Sequence, residues 1–137
     1  MILAIDPGTT KIGWAIVDNS GEAVDQGVLY LDRGAGQLHQ LIDPPAVRTV
    51  VIGDGTNRVN IEAEAKRLYP QAEIAVIDET DSTVVAWQLK RKEEVGSNPF
   101  RGLMFTLRQL FNPPPVDDYA ARVLAARYLD QRRTGRA

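Results

Sequence analysis

The chain has no cysteine and a single histidine, His39, among its 137 residues. Without thiols there is no disulfide, no thiolate nucleophile and no cysteine-ligated zinc. One imidazole in a glycine-flanked segment makes neither a histidine metal cluster nor a Ser-His-Asp triad. Oxygen ligands remain for any metal chemistry, and these suit magnesium or manganese. A long apolar run is also missing, and the N-terminus enters a strand directly with no charged leader or cleavage site. Neither a membrane span nor a signal peptide is expected, and the expected location is the cytoplasm. Nor is there a basic excess: the formal net charge of -2 argues against an obligate nucleic-acid binder unless local clustering supplies the contacts. No linker composition interrupts the chain, so residues 1–137 read as one domain of ordinary size.

What is present is a set of buried strands that end in acids. Ile2 to Ile5 is an unbroken apolar run, the pattern of a strand covered on both faces, and it stops at Asp6. A carboxylate at the edge of a core must find donors, shift its pKa or hold a cation. Asp6-Pro7-Gly8 is also good turn chemistry, and that plainer reading stays open beside a role as a metal or phosphate ligand. Gly13 to Val17 returns as a second strand and Ala23 to Leu31 as a third, giving an antiparallel meander. Gly34 to Ile42 is expected to be a short helix stopped by Pro44 and Pro45.

Thr49 to Gly53 is a second apolar run, closing on Asp54. Glu73 to Ile77 is a third, closing on Asp78 and Glu79. Between them, Asn60 to Tyr69 spaces Ile61, Ala65 and Leu68 as a surface helix, with Glu62 and Lys66 paired four apart. Strand, helix, strand in this order implies parallel pairing. In open α/β sheets, sites form at the carboxyl ends of such strands. Helices are expected over Val84 to Lys92 and over Phe100 to Phe111, the second ended by Asn112 and three prolines. The last runs from Asp117 to about Arg132. Its stripe of Asp117, Ala121, Leu124 and Tyr128 is expected to face the sheet. Asp118 would then pair in solvent with Arg122. Asp117 at that position serves either as a helix N-cap or as a further site acid. Alanines at 120, 121, 125 and 126 let this helix come close to the sheet.

Carboxylates gathered in this way would repel one another without cations. Two divalent ions about 4 Å apart can activate water and stabilise the leaving oxygen of a phosphodiester, which makes nucleic-acid hydrolysis the natural reaction class. Lys11, Lys90, Arg91, Lys92, Arg101 and Arg108 are the basic side chains expected to grip phosphates, interleaved with Trp87, Phe100, Phe105 and Phe111. Arg127, Arg132, Arg133 and Arg136 suggest either a phosphate-binding arm or a solubilising tail.

Ile2-Leu3-Ala4-Ile5-Asp6-Pro7-Gly8 followed by Ile12-Gly13 resembles the opening of the ribonuclease H-like nucleases, in the branch of the RuvC resolvases and their YqgF or RuvX relatives. Asp78-Glu79-Thr80-Asp81-Ser82-Thr83 and Val116-Asp117-Asp118-Tyr119-Ala120-Ala121 are similar to the second and third YqgF motifs, in the family's order. The resemblance implies an α/β, ribonuclease H-like fold with a five-stranded mixed sheet, three antiparallel strands then two parallel, flanked by helices. It implies Asp6, Glu79 and Asp117 as catalytic carboxylates holding magnesium or manganese. The activity implied is a metal-dependent nuclease acting on the small-subunit ribosomal RNA precursor or on branched DNA such as Holliday junctions, with a homodimer among the expected assemblies.

The chain departs from that pattern in three places. Thr80 stands where the family usually has Arg, Gly53-Asp54-Gly55-Thr56 replaces Gly-x-Pro, and Ala120 removes the resolvases' Asp-x-x-Asp pair. Asp54 is therefore a fourth catalytic candidate or a substitute for Glu79. A binding module for RNA or a ribosome-assembly partner, on the same fold without the chemistry, is the alternative. A third reading takes Asp6 to Thr10 as the phosphate loop of actin-like or sugar-kinase ATPases, which need two such domains around a cleft.

Overall fold

The computed structural model describes residues 1–31, 38, 40, 43–78, 82–96 and 117–135, with backbone alone at 82–87 and 95. The expected helices over Gly34 to Ile42 and Phe100 to Phe111 fall wholly or mainly outside these residues.

Five strands make one sheet. They are β1 (Ile2–Asp6), β2 (Lys11–Val17), β3 (Ala23–Tyr30), β4 (Thr49–Gly53) and β5 (Glu73–Ile77), in the spatial order β3-β2-β1-β4-β5. The first three pair antiparallel, while β1 with β4 and β4 with β5 pair parallel. The mixed sheet is thus the one expected. Three described α-helices accompany it: α1 (Arg58–Leu68), α2 (Ser82–Val95) and α3 (Asp117–Arg133). None of them is long and apolar enough to cross a membrane.

The apolar runs of β1 and β4 exist because both faces of these strands are covered. Leu3, Ile5, Ile12, Ile16, Val50 and Ile52 point to one side and pack with Ile61, Ala65 and Tyr69 of the α1 segment. Ile2, Ala4, Ala15, Val17, Val51 and Ile77 point to the other and pack with Ala121, Leu124, Ala125 and Tyr128 of α3. Period-two alternation on the strands and three- and four-residue spacing on the helices thereby build a three-layer core. The buried Tyr69 hydroxyl donates to the Leu38 carbonyl at 3.0 Å, so its polar end is satisfied.

Two expectations need correction. Glu73 to Ile77 is not a run buried on both faces but an edge strand, and Val76 is exposed. An edge has only one paired neighbour, so burial follows position in the sheet and not apolar composition alone. Asp118 and Arg122 do not pair. Asp118 Oδ2 accepts from Gln26 Nε2 of β3 at 3.0 Å, and Arg122 reaches Glu93 of α2 at 2.7 Å. The start of α3 lies close enough to the sheet for Asp118 to find a partner there, and α2 gives Arg122 a better-placed carboxylate. The Glu62–Lys66 pair forms at 3.1 Å, with Arg58 joining Glu62 at 3.0 Å.

Candidate functional site

Gly13 is the seat on which two acids meet. It is the cross-strand partner of Asp6, and such opposed residues have Cα atoms about 4.5–5.5 Å apart. On its α3-facing side, a Cβ added to Gly13 would lie 1.9 Å from the Asp117 carbonyl oxygen and 2.7 Å from Asp117 Cβ. The first turn of α3 therefore rests directly on the strand residue that faces Asp6. Alternation puts Asp6 on the same face as Ile2 and Ala4, the face that α3 covers. Asp6 and Asp117 are thus brought to one end and one face of the sheet, each beside Gly13.

The neighbouring strands order the other acids. β1 and β4 run in register, Ile5 against Ile52, so Asp54 begins the loop one residue beyond the level of Asp6. The spacing of strands places its Cα about 6 Å from that of Asp6, but continued alternation from Val50 and Ile52 carries its side chain toward the α1 face, opposite the face of Asp6. Its backbone N–H donates to the Ile77 carbonyl at 3.1 Å, extending the β4–β5 ladder past the strand end. Asp78 follows β5, two strands from β1 and hence about 10 Å away across the sheet. Glu79, the second expected ligand, lies outside the described residues.

The loop from Asp6 to Lys11 is held by two devices. Gly8 has no room for a side chain, because a Cβ there would lie 2.2 Å from the Lys11 carbonyl oxygen. Asn57, at the start of α1 with φ 67°, donates from Nδ2 to the Gly8 carbonyl at 2.9 Å. Asn57 thus ties the loop after Asp6 to the loop after Asp54. Asparagine tolerates this left-handed backbone better than most residues. The sequence reading missed Asn57, although an Asn in the Asp-Gly-Thr-Asn turn was an available signal. It missed Gly13 as well: a glycine inside a strand marks the close approach of another backbone.

Lys11 Nζ lies 3.1 Å from Asp117 Oδ2, with both side chains about one-third exposed (38% and 32%). Lys11 is thus part of the acidic site and not a remote surface cation. Asp117 and Asp118 in the first turn of α3 also complement the positive end of the helix dipole. Among the described residues no three acids lie close enough to share one metal ion. Magnesium commonly takes one or two carboxylates and keeps water in its other positions, so a pair of aspartates is the smallest set that could take it. Asp6 and Asp117 are the pair that would hold it.

The expected basic surface is divided. Arg91 and Lys92 are exposed on α2, whereas Lys90 is buried at 7% exposure. The Lys90 ammonium lies 3.9 Å from Glu94 and 5.7 Å from the centre of the Tyr119 ring. Lys90 therefore joins α2 to α3 and does not present its charge to a phosphate. Tyr119 shares this joint with Arg122, 5.5 Å from its ring. Its hydroxyl pKa is pushed up to about 12, first by burial and then by the negative charge of Glu93. Arg101 and Arg108 lie outside the described residues. Of the tail arginines, Arg127, Arg132 and Arg133 lie within α3, as the expected helix to about Arg132 implies, and Arg136 lies outside the described residues. Arg127 donates to the Asp78 carbonyl at 2.8 Å, and Arg132 approaches Glu73 at 3.4 Å.

The fold is that of an α/β protein with a five-stranded mixed sheet, with Asp6 and Asp117 beside Gly13 at the carboxyl end of its central strand. No family model matches the chain, and comparison with curated proteins gives no match. Among solved structures, one similar chain is a Cytophaga hutchinsonii ATCC 33406 protein described provisionally as a sugar kinase. The two share 17% identity over 63% of this chain and 38% of that one, with a TM-score of 0.43. This chain spans little more than a third of that protein's length.

Proposed function

We propose that the protein is a metal-dependent nuclease of the ribonuclease H-like class, which hydrolyses nucleic-acid phosphodiesters. The observation that carries this reading is the meeting of Asp6 and Asp117 across Gly13 at the carboxyl end of β1. In it, Asp6 and Asp117 hold magnesium or manganese, and Asp54 or Glu79 completes the set. Asp54 lies one strand from Asp6 but continues the α1 face of β4, whereas Glu79 follows a strand two places away. When bound, a divalent ion lowers the pKa of its water and neutralises charge on the leaving oxygen. The side chains of this chain do the rest. Asp6 at the end of β1 and Asp117 at the start of α3 would hold the ion, and the remaining acid would orient a water by hydrogen bonding. Arg91 and Lys92 supply phosphate contacts on exposed turns of α2.

The substrate in this reading is a nucleic acid, with the precursor of small-subunit ribosomal RNA first and branched DNA second. The loss of the second acid at Ala120 weighs against junction resolution. Asp6→Asn is expected to abolish magnesium-dependent cleavage of single-stranded RNA, duplex RNA and a four-way junction alike. Its melting temperature without metal should be unchanged or higher, because a repelling carboxylate is gone. Cleavage at the wild-type rate overturns the proposal.

One observation favours the second reading, a binding module for RNA or a ribosome-assembly partner. Lys11 already neutralises Asp117 without a metal ion. Manganese titration separates the two, since the module need not bind the ion.

A further inference from the structure

Lys11 holds its ammonium where the charge of a bound ion would act, 3.1 Å from Asp117 Oδ2. Two features make this contact exchangeable. Both side chains are about one-third exposed, so water competes for each partner, and half-hydrated ion pairs are weak. Lys11 is also the first residue of β2, directly after the exposed Thr9–Thr10 turn, so its long side chain can turn outward without disturbing the core. Arg58, on the neighbouring α1 start, is already committed to Glu62 at 3.0 Å.

We infer that Lys11 is a tethered competitor for the divalent ion, resting on Asp117 until metal and a nucleic-acid phosphate displace it together. The inference rests on the proposed function, because it takes Asp117 as a metal ligand. An ammonium and a divalent ion on one carboxylate repel each other, so the ion drives Lys11 off. A phosphate close to the site gives the released ammonium a new partner. Linkage then works both ways: phosphate that draws Lys11 from Asp117 tightens metal binding, and metal that frees Lys11 tightens phosphate binding. Such an arrangement loads the site preferentially when substrate is present.

Calorimetric titration of Mn2+ into the full chain tests this, with and without a short oligothymidylate. Lys11→Met is expected to bind Mn2+ roughly 1.5- to fivefold more tightly than the wild type, the range that loss of one exposed ion pair sets. The oligonucleotide should tighten Mn2+ binding to the wild type and no longer do so in Lys11→Met. Lys11→Arg, which keeps the charge, should behave as the wild type. Lys11→Gln repeats the measurement with a polar neutral side chain, should the methionine variant fold poorly. Equal Mn2+ affinity in the wild type and the neutral variants overturns the role of Lys11 and leaves the nuclease proposal standing. No Mn2+ uptake by any of them, or undiminished uptake by Asp6→Asn, overturns both.

Discussion

At position 13 a hydrogen atom is the largest side chain that fits. The Asp117 carbonyl occupies the space of a Cβ, so Gly13→Ala must push the first turn of α3 away from β2. Overpacking of this kind typically costs about 1–3 kcal/mol, and backbone on both sides leaves little room to relax. Gly13→Ala is therefore expected to lower the free energy of urea unfolding by that amount and to weaken metal uptake by separating Asp117 from Asp6. Normal stability with full Mn2+ affinity would show that the helix does not rest on this residue. At the same scale, Lys11 and Lys90 illustrate how one residue type takes two parts. One ammonium reaches a half-exposed carboxylate at the site, while the other is buried between helices over an aromatic ring.

Among the elements, α3 carries the most consequence. Its alanines at 120, 121 and 125 are buried against the sheet, and this closeness brings Asp117 to the strand ends. The joint between α2 and α3 holds it there through Tyr119, Lys90, Glu93 and Arg122. Tyr119 predicts how the joint responds to alkali. Its folded-state pKa is raised from 10.0 to about 12, so the unfolded chain gives up this proton first. The contribution is fully present below pH 10 and is lost as pH rises from there to about 12. Tyr119→Phe should flatten the fall in stability over that window, by about 1–2 kcal/mol after allowance for partial exposure. In a spectroscopic titration of the four tyrosines, the most alkaline component should disappear with the same substitution. An unchanged titration curve would mean that Tyr119 is not the perturbed group.

For the molecule as a whole, a bound ion and the fold stabilise one another. An ion that binds only the folded chain raises stability by about 2.7 kcal/mol at a hundred times its dissociation constant. Millimolar Mn2+ is accordingly expected to raise the melting temperature of the wild type by several degrees and that of Asp6→Asn not at all. A rise of equal size in both would put the ion elsewhere. The path to this picture was legible in unequal degree. Strand runs, the antiparallel meander, the parallel pairs and the inward stripe of α3 follow from periodicity, because apolar side chains at fixed spacing have only one way to leave water. The three acids ending apolar runs were likewise readable, since a charge beside a buried run is conspicuous. Which of them stand together was not, for that depends on strand order: β4 lies beside β1 and β5 lies beyond it. The partner of Asp118, the burial of Lys90 and the edge position of β5 were equally out of reach, because long-range contacts are made by the packing of whole elements. Local patterning along the chain specified the strands, the three described α-helices and the inventory of acids and bases. Only the tertiary structure decided which charges became neighbours, since a Coulomb interaction depends on distance through space and not along the chain.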